Sequence, residues 1–558
     1  HYIYGRFSVK NRYKSGMIAN ERTIRLNPYQ MLAFRTIGLA RDSNKVGLEK
    51  TYDAVLKGRN GKQTVRSIAG GIGVPVDDTY LIEPETGKDI VSTIDVFIQD
   101  IAEAALMKMM VQNEAENGCA IVLETKTGKV KAIANLGRMA NGTYWENLNY
   151  AITPSEPGST FKLATLMALL EDKKVNLNQT LNLENGVWRV AGQTVYDSER
   201  HAENIVTVKQ AFELSSNVAM AKMAVSHYSN NPQQYLKHLR KMRMDTITGI
   251  DLVGERKPVI HRPGSKLYGP TTIPWMSFGY NLAISPLHTA MLYNAIANNG
   301  TMMRPYLVSS IKEEGVLLKE IPPVILDTQI CSPATLAMLK ASLEGVCIAG
   351  TAKSLFAGTP YKVAGKTGTA LVADGNRGYA NKIYQSSFAG YFPADNPQYT
   401  CVVVIKNKPF AANFYGASVA GPVFKEIADR LYGTYIKTNK TLIAGTNKKD
   451  STYFKYNGYK ADLAYLSEKL QLKIADSTGR ADEWTSLNKN TAAAVMQKMP
   501  INKNAMPPLK GLGLKDALYL CEEMGLMVLV KGRGRVLDQS ILPGQPIAKG
   551  QLIQINLN

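Results

Sequence analysis

A mostly apolar run, Leu163-Ala164-Thr165-Leu166-Met167-Ala168-Leu169-Leu170, follows the punctuating pair Pro157-Gly158. It predicts a buried helix that opens near Ser159, with Lys162 one turn further along the same face. Residues 119–124 and 130–134 flank the turn Lys126-Thr127-Gly128-Lys129 and predict a β-hairpin. Residues 386–393 and 399–405 predict adjacent antiparallel strands that turn through Asp395-Asn396-Pro397. Helical patterns run from Ile98 to Met110, from Pro286 towards Asn299-Gly300, and across 422–428. Nearer the start, residues 47–57 predict a helix stopped by Gly58, and Tyr2-Ile3-Tyr4-Gly5-Arg6-Phe7 predicts a short strand.

These patterns divide the chain. Residues 1–90 are polar and turn-rich and hold no cluster of reactive side chains. Residues 91–435 carry the long apolar elements. Residues 436–505 turn polar, rich in Lys, Asn, Thr and Ser, and predict a linker or a degenerate repeat of the segment after them. Residues 506–558 predict a small module with a helix over 514–524 and strands from Gly525, from Val536 and across 547–555. The fold class is multidomain α+β.

The candidate chemistry begins at Ser159. A serine hydroxyl is a weak nucleophile until a base takes its proton. Lys162 can be that base if burial and the positive end of the helix disfavour its ammonium form. The same helix end favours a developing oxyanion. Alone, Ser-x-x-Lys arises by chance. Here it is followed by Ser215-Ser216-Asn217 and then by Lys366-Thr367-Gly368-Thr369. Ser215 can pass a proton between Lys162 and a leaving amine. Asn217 can hold Lys162 and a substrate amide. Lys366 supplies positive charge for a substrate carboxylate, and Gly368 lets a substrate backbone lie against a strand edge.

The order Ser-x-x-Lys, Ser-x-Asn, Lys-Thr-Gly resembles the signature set of serine β-lactamases and penicillin-binding proteins. With these flanks, the chain resembles class B penicillin-binding proteins, the monofunctional D,D-transpeptidases of cell-wall synthesis. Asn149-Tyr150-Ala151 stands before Ser159, as Asn-x-Ala does in the family. Gly279-Tyr280-Asn281 resembles the family's Gly-x-Gly helix entry, with Asn281 where glycine is common. The resemblance implies a non-catalytic N-terminal pedestal over 1–90. It implies a β-lactamase-like transpeptidase domain over 91–435, an antiparallel sheet flanked by helices. It also implies a PASTA-like domain over 506–558. The catalytic set would be Ser159, Lys162, Ser215 and Asn217. Lys366, Thr367, Gly368 and Thr369 would bind substrate, and the N–H groups of Ser159 and Thr369 would form the oxyanion hole.

The implied reaction cross-links peptidoglycan stem peptides. Ser159 attacks the penultimate D-Ala carbonyl, D-Ala leaves, and an amine on a neighbouring strand takes the acyl group. β-Lactams mimic the D-Ala-D-Ala end and acylate the same serine. The pedestal and the PASTA-like tail favour a division-type over an elongation-type enzyme. The lack of a long glycosyltransferase region implies a membrane glycosyltransferase or divisome partner. The family implies one N-terminal anchor in the inner membrane, upstream of His1, and an extracytoplasmic, periplasmic catalytic domain. A penicillin-binding sensor without cross-linking activity and a β-lactamase are the alternatives.

Composition narrows the rest. A net charge of +20 suits attraction to an anionic envelope, and the scattered lysines form no nucleic-acid module. The five cysteines contain no C-x-x-C pair and predict buried thiols rather than disulfides. No H-E-x-x-H stands among the six histidines, so no metal or other cofactor is expected. His201 and His227 are read as structural. No run reaches the roughly 18–20 apolar residues of a membrane span. Gly365-Lys366-Thr367 is no P-loop, because Pro360 occupies the position of its first glycine. Gly416-Ala417-Ser418-Val419-Ala420 lacks the final glycine of a nucleophile elbow.

Overall fold

The computed structural model describes residues 28–29, 31–41, 44–62, 64–68, 72–75, 82–373, 378–436, 455–469, 474–479, 484–489, 494–498, 502 and 504–557. The strand expected at Tyr2–Phe7 lies outside them. The chain divides into two compact units, 1–440 and 441–558.

The first unit opens with short pieces. The helix expected over 47–57 is two helices, Gly47–Thr51 and Asp53–Leu56, broken at Tyr52. The Tyr52 hydroxyl donates to Asp251, whose carboxylate also accepts from the N–H groups of Leu307 and Val308. That anchor holds the break in place. Gly58 follows at φ +65°, the left-handed stop the pattern predicts. Asp89–Ser92 pairs with Val308–Glu313, which pairs with Val316–Glu320, so this strand stands apart from the central sheet.

The catalytic part is built on one six-stranded antiparallel sheet. Helix α1 (Val96–Asn113) starts at Asp95, whose carboxylate caps the N–H groups of Phe97 and Ile98. The expected hairpin follows as β1 (Asn117–Glu124) and β2 (Val130–Arg138), with the short β3 (Tyr144–Trp145) beside it. Then come α2 (Lys162–Glu171), α3 (Asn217–Tyr228), α4 (Pro286–Ala297) and α5 (Pro333–Ile348). The chain returns through β4 (Ala364–Val372), β5 (Ile383–Phe392) and β6 (Tyr399–Lys406), and closes with α6 (Ala420–Leu431). The order across the sheet is β4-β5-β6-β1-β2-β3.

Helices α1 and α6 pack on one face, and α4 and α5 on the other. The inner strands β1, β5 and β6 are therefore buried on both sides, which is why they read as continuous apolar runs rather than alternating ones. Phe388 and Phe392 pack on Phe424 of α6, tilted and edge-on, at 4.5 and 5.7 Å between ring centres. One continuous core joins both faces. Strand β4 is one edge of the sheet, and the short β3 is the other.

The second unit carries the same path twice. After the helix Lys460–Lys469, Ala494–Lys498 pairs parallel with Ile474–Asp476 and antiparallel with Trp484–Lys489. After the helix Leu514–Glu523, Leu552–Leu557 pairs parallel with Met527–Lys531 and antiparallel with Val536–Gln539. The polar segment thus holds an α+β module in its described residues. Its own core cluster is only Leu463, Leu487 and Met496, which accounts for its linker-like composition. Among the described residues no helix is long and apolar enough to cross a membrane. All five cysteines are buried and unpaired.

Candidate active site

A 3-10 turn, Gly158–Phe161, places Ser159 at the mouth of α2. The turn is wedged between β4 and the segment before α4. Gly158 takes φ +56°, and its N–H donates to the carbonyl of Gly279 at 3.1 Å. A Cβ on Gly279 would lie 2.0 Å from the Gly158 oxygen, so only glycine fits. Asn281 takes φ +57°, the conformation for which glycine is usual and asparagine is tolerated. Its N–H donates to Glu156.

Lys162 is fully buried behind Ser159. Its Nζ donates to the Ser215 carbonyl oxygen at 2.5 Å and contacts the Ser215 hydroxyl at 3.2 Å. Burial pulls its pKa down to about 7, against a smaller opposing pull from Asp197. A neutral amine beside a serine hydroxyl is therefore accessible near neutral pH.

Ser215 makes both contacts because its backbone is left-handed, at φ +61°. The residue clamping the segment just after it is Asp197. Its carboxylate accepts from the N–H groups of Asn217 (2.5 Å) and Val218 (2.9 Å), the Ser216 hydroxyl (2.8 Å) and His201 Nε2 (3.1 Å). Burial alone would raise its pKa. The bonds from His201, Val218 and Ser216, with the charge of Lys162, outweigh that and hold it below the usual carboxylate range. Ser216 caps α3 by accepting from the N–H of Ala219.

Asn217 directs its Nδ2 to the carbonyl of Tyr196 at 2.7 Å. The bonds of Lys162 go to Ser215 instead, so the expected Asn217–Lys162 hold is not the arrangement here.

Thr367 and Thr369 line the cavity from β4, whereas Lys366 is fully buried and lines neither cavity. Its Nζ donates to the Thr367 carbonyl and lies 5.8 Å from the Phe212 ring centre. Burial, then the charge of Lys162, push it well below the ordinary lysine range. The hydroxyl-bearing side chains that β4 contributes to the pocket lining are Thr367 and Thr369. Thr367 shares a 2.6 Å hydroxyl contact with Thr351, and Thr369 accepts from the N–H of Gly416.

Gly368 is crowded from within the protein. A Cβ there would meet Ser387 Oγ at 2.2 Å and Thr160 Cγ2 at 3.2 Å. The missing side chain lets β4 press against its neighbour strand and against the turn carrying Ser159.

Two cavities meet here. A groove of about 810 Å³ is walled by Asn217, Thr369 and the aromatic rings of Trp275, Tyr280, Tyr384 and Phe414. A pocket of about 120 Å³ adjoins it and is lined by Ser159, Ser215, Thr367, Thr369, Glu199 and His201.

The profile of the penicillin binding protein transpeptidase domain matches residues 118–429, more than half of the chain. The chain belongs to that family. It is 28% identical over 442 residues to the stage V sporulation protein D of Bacillus subtilis, covering 77% of this chain and 67% of that one. It is 28% identical over 427 residues to the peptidoglycan D,D-transpeptidase FtsI of Escherichia coli, covering 75% and 68%. Among solved structures, it resembles penicillin-binding protein 3 of Mycobacterium tuberculosis complexed with aztreonam. There the TM-score is 0.61 and the identity 27%, over 75% of this chain and 90% of that one. Penicillin-binding protein 2X of Streptococcus thermophilus shares the fold, with a TM-score of 0.62, 20% identity, and coverage of 95% and 82%.

Within this transpeptidase domain, the three motifs come together at one point, although they lie far apart in the chain. Asp197, Thr351 and the lining role of His201 were not singled out from sequence. Asp197 follows the strand Gln193–Tyr196, and its partners around the start of α3 begin 19 residues later. No local pattern links an acidic residue after a strand to a helix start that far away.

Proposed function

We propose that this chain is a class B, division-type peptidoglycan D,D-transpeptidase working through an acyl-enzyme on Ser159. The observation that carries the reading is the buried Lys162 amine, lowered to about 7, bonded to Ser215 and one turn from a serine that lines a cavity. Neutral Lys162 takes the Ser159 proton, and Oγ attacks the penultimate D-Ala carbonyl of a stem peptide. The N–H groups of Ser159 and Thr369 receive the oxyanion. Ser215 passes the proton to the departing D-Ala amine. An amine from a second strand then takes the acyl group, and Ser159 recovers its proton.

The names of the E. coli and B. subtilis relatives support the wall-synthesis and division reading. The mycobacterial structures with aztreonam and ampicillin support a β-lactam-reactive site. The same reading places the catalytic domain outside the cytoplasm on a single-pass anchor in the inner membrane. Beside it stands a membrane glycosyltransferase or division partner, and residues 506–558 act as a PASTA-like accessory domain.

Intact mass after incubation with a penicillin, on the wild type and Ser159→Ala, tests the reading. A single stable adduct, lost in the variant, supports it, and formation of cross-linked dimers from stem-peptide substrates separates a transpeptidase from a sensor. Rapid turnover of the drug would favour a β-lactamase, and no adduct on folded protein would overturn the reading.

A further inference from the structure

A primary amine reaches the acyl-enzyme as an ammonium near neutral pH, since its pKa is about 10.4 when it resembles a lysine side chain. It must lose two protons before an amide replaces the ester. Lys162 and Ser215 account for one, which returns to Ser159. The other needs a second base.

The 120 Å³ pocket offers one. His201 lines it together with Ser159 and Glu199. The imidazole is largely buried, 9% exposed, and its Nε2 lies 3.1 Å from the Asp197 carboxylate. A carboxylate accepting from Nε2–H leaves Nδ1 as the lone-pair nitrogen and orients the ring. Lys162 is already committed to Ser215. The larger groove has room for the donor peptide and shares Ser198, Thr369 and Tyr415 with the small pocket. The small pocket is thus the space left beside Ser159 for the second substrate. Glu199 adds a carboxylate there, which attracts a cation.

We propose that His201, oriented by Asp197, is the base that takes the first proton from a cationic primary-amine acceptor entering the 120 Å³ pocket. The inference rests on the transpeptidase reading above. The ammonium gives one proton to His201 Nδ1. The free amine attacks the Ser159 ester carbonyl and a C–N bond forms. The second amine proton passes through Ser215 and Lys162 to Ser159 Oγ as the C–O bond breaks. The products are the amide, the free serine and an imidazolium that releases its proton to solvent. The charged groups around His201 are Asp197, Glu199 and Arg200 from its own segment, and Lys162 of α2 behind Ser215.

The test uses the full chain with a thioester donor peptide and Nα-acetyl-lysine as acceptor, comparing wild type with His201→Gln. Penicillin acylation needs no acceptor and reports whether the variant retains a folded site. The expected result is a Ser159 adduct in both proteins and at least a tenfold loss of amide product at pH 7 in the variant. That loss shrinks towards pH 9.5, where a growing share of the acceptor is already neutral. Hydrolysis of the donor by water is spared. Transfer at the wild-type rate, or a loss equal at every pH, overturns the role of His201 while leaving the transpeptidase reading intact. No penicillin adduct in the wild type removes that reading, and the inference with it.

Discussion

Lys162 Nζ lies 2.5 Å from the carbonyl oxygen of Ser215 and 3.2 Å from its hydroxyl, so one residue supplies both anchors of a buried amine. Its pKa of about 7 sets a pH dependence. Below that value the amine is an ammonium and cannot take the Ser159 proton. The second-order rate of penicillin acylation should therefore rise by about tenfold per pH unit below pH 7 and level off above it. Rates measured from pH 5 to 9 check this, and a flat profile would remove Lys162 as the base.

Asp197 holds the loop that presents Ser215. Asparagine in its place keeps one acceptor oxygen and turns an amide donor towards groups that already donate. Asp197→Asn should cost about 2–4 kcal/mol of stability and slow acylation at least tenfold. Denaturant unfolding measures the first and adduct formation the second. An unchanged unfolding midpoint would show that the four bonds to this carboxylate are dispensable.

At Gly368 the obstacle to a methyl group is chiefly one side-chain atom, Ser387 Oγ, at 2.2 Å. Gly368→Ala should destabilise by about 1–3 kcal/mol and slow acylation. Adding Ser387→Ala should recover part of both losses, because it removes the nearest contact. Thr160 Cγ2, at 3.2 Å, keeps the recovery incomplete. A double variant no better than the single one would place the strain elsewhere.

Asn281 occupies a left-handed position at φ +57°. Asn281→Gly should change stability by less than about 0.5 kcal/mol, whereas Asn281→Val should cost about 1–2 kcal/mol. Thermal melts of the two variants distinguish a backbone requirement from a side-chain one. Equal effects would mean that conformation is not what selects asparagine.

Much of the site could be read along the chain. Ser159 and Lys162 lie within one turn, and the motifs at Ser215 and Lys366 follow in order. The hairpin of β1 and β2 and the strands β5 and β6 were visible because buried strands leave apolar runs. What could not be read was direction. Lys366 is fully buried, while Thr367 and Thr369, on the other side of the alternating strand, line the pocket. At Gly368 the motif does not show that the missing Cβ makes room for Ser387 and Thr160.

The sequence by itself determined the family, the candidate nucleophile, its adjacent amine and the main strands of the central sheet. These follow from local periodicity and motif order. Only the tertiary structure decided that Asp197 clamps Ser216 and the start of α3, that Asn217 turns to Tyr196, that His201 shares a pocket with Ser159, and that a polar segment repeats the path of its neighbour. Those relations join residues far apart in the chain. They are set by how sheet and helices pack, and close packing is a property of the whole core rather than of any short stretch.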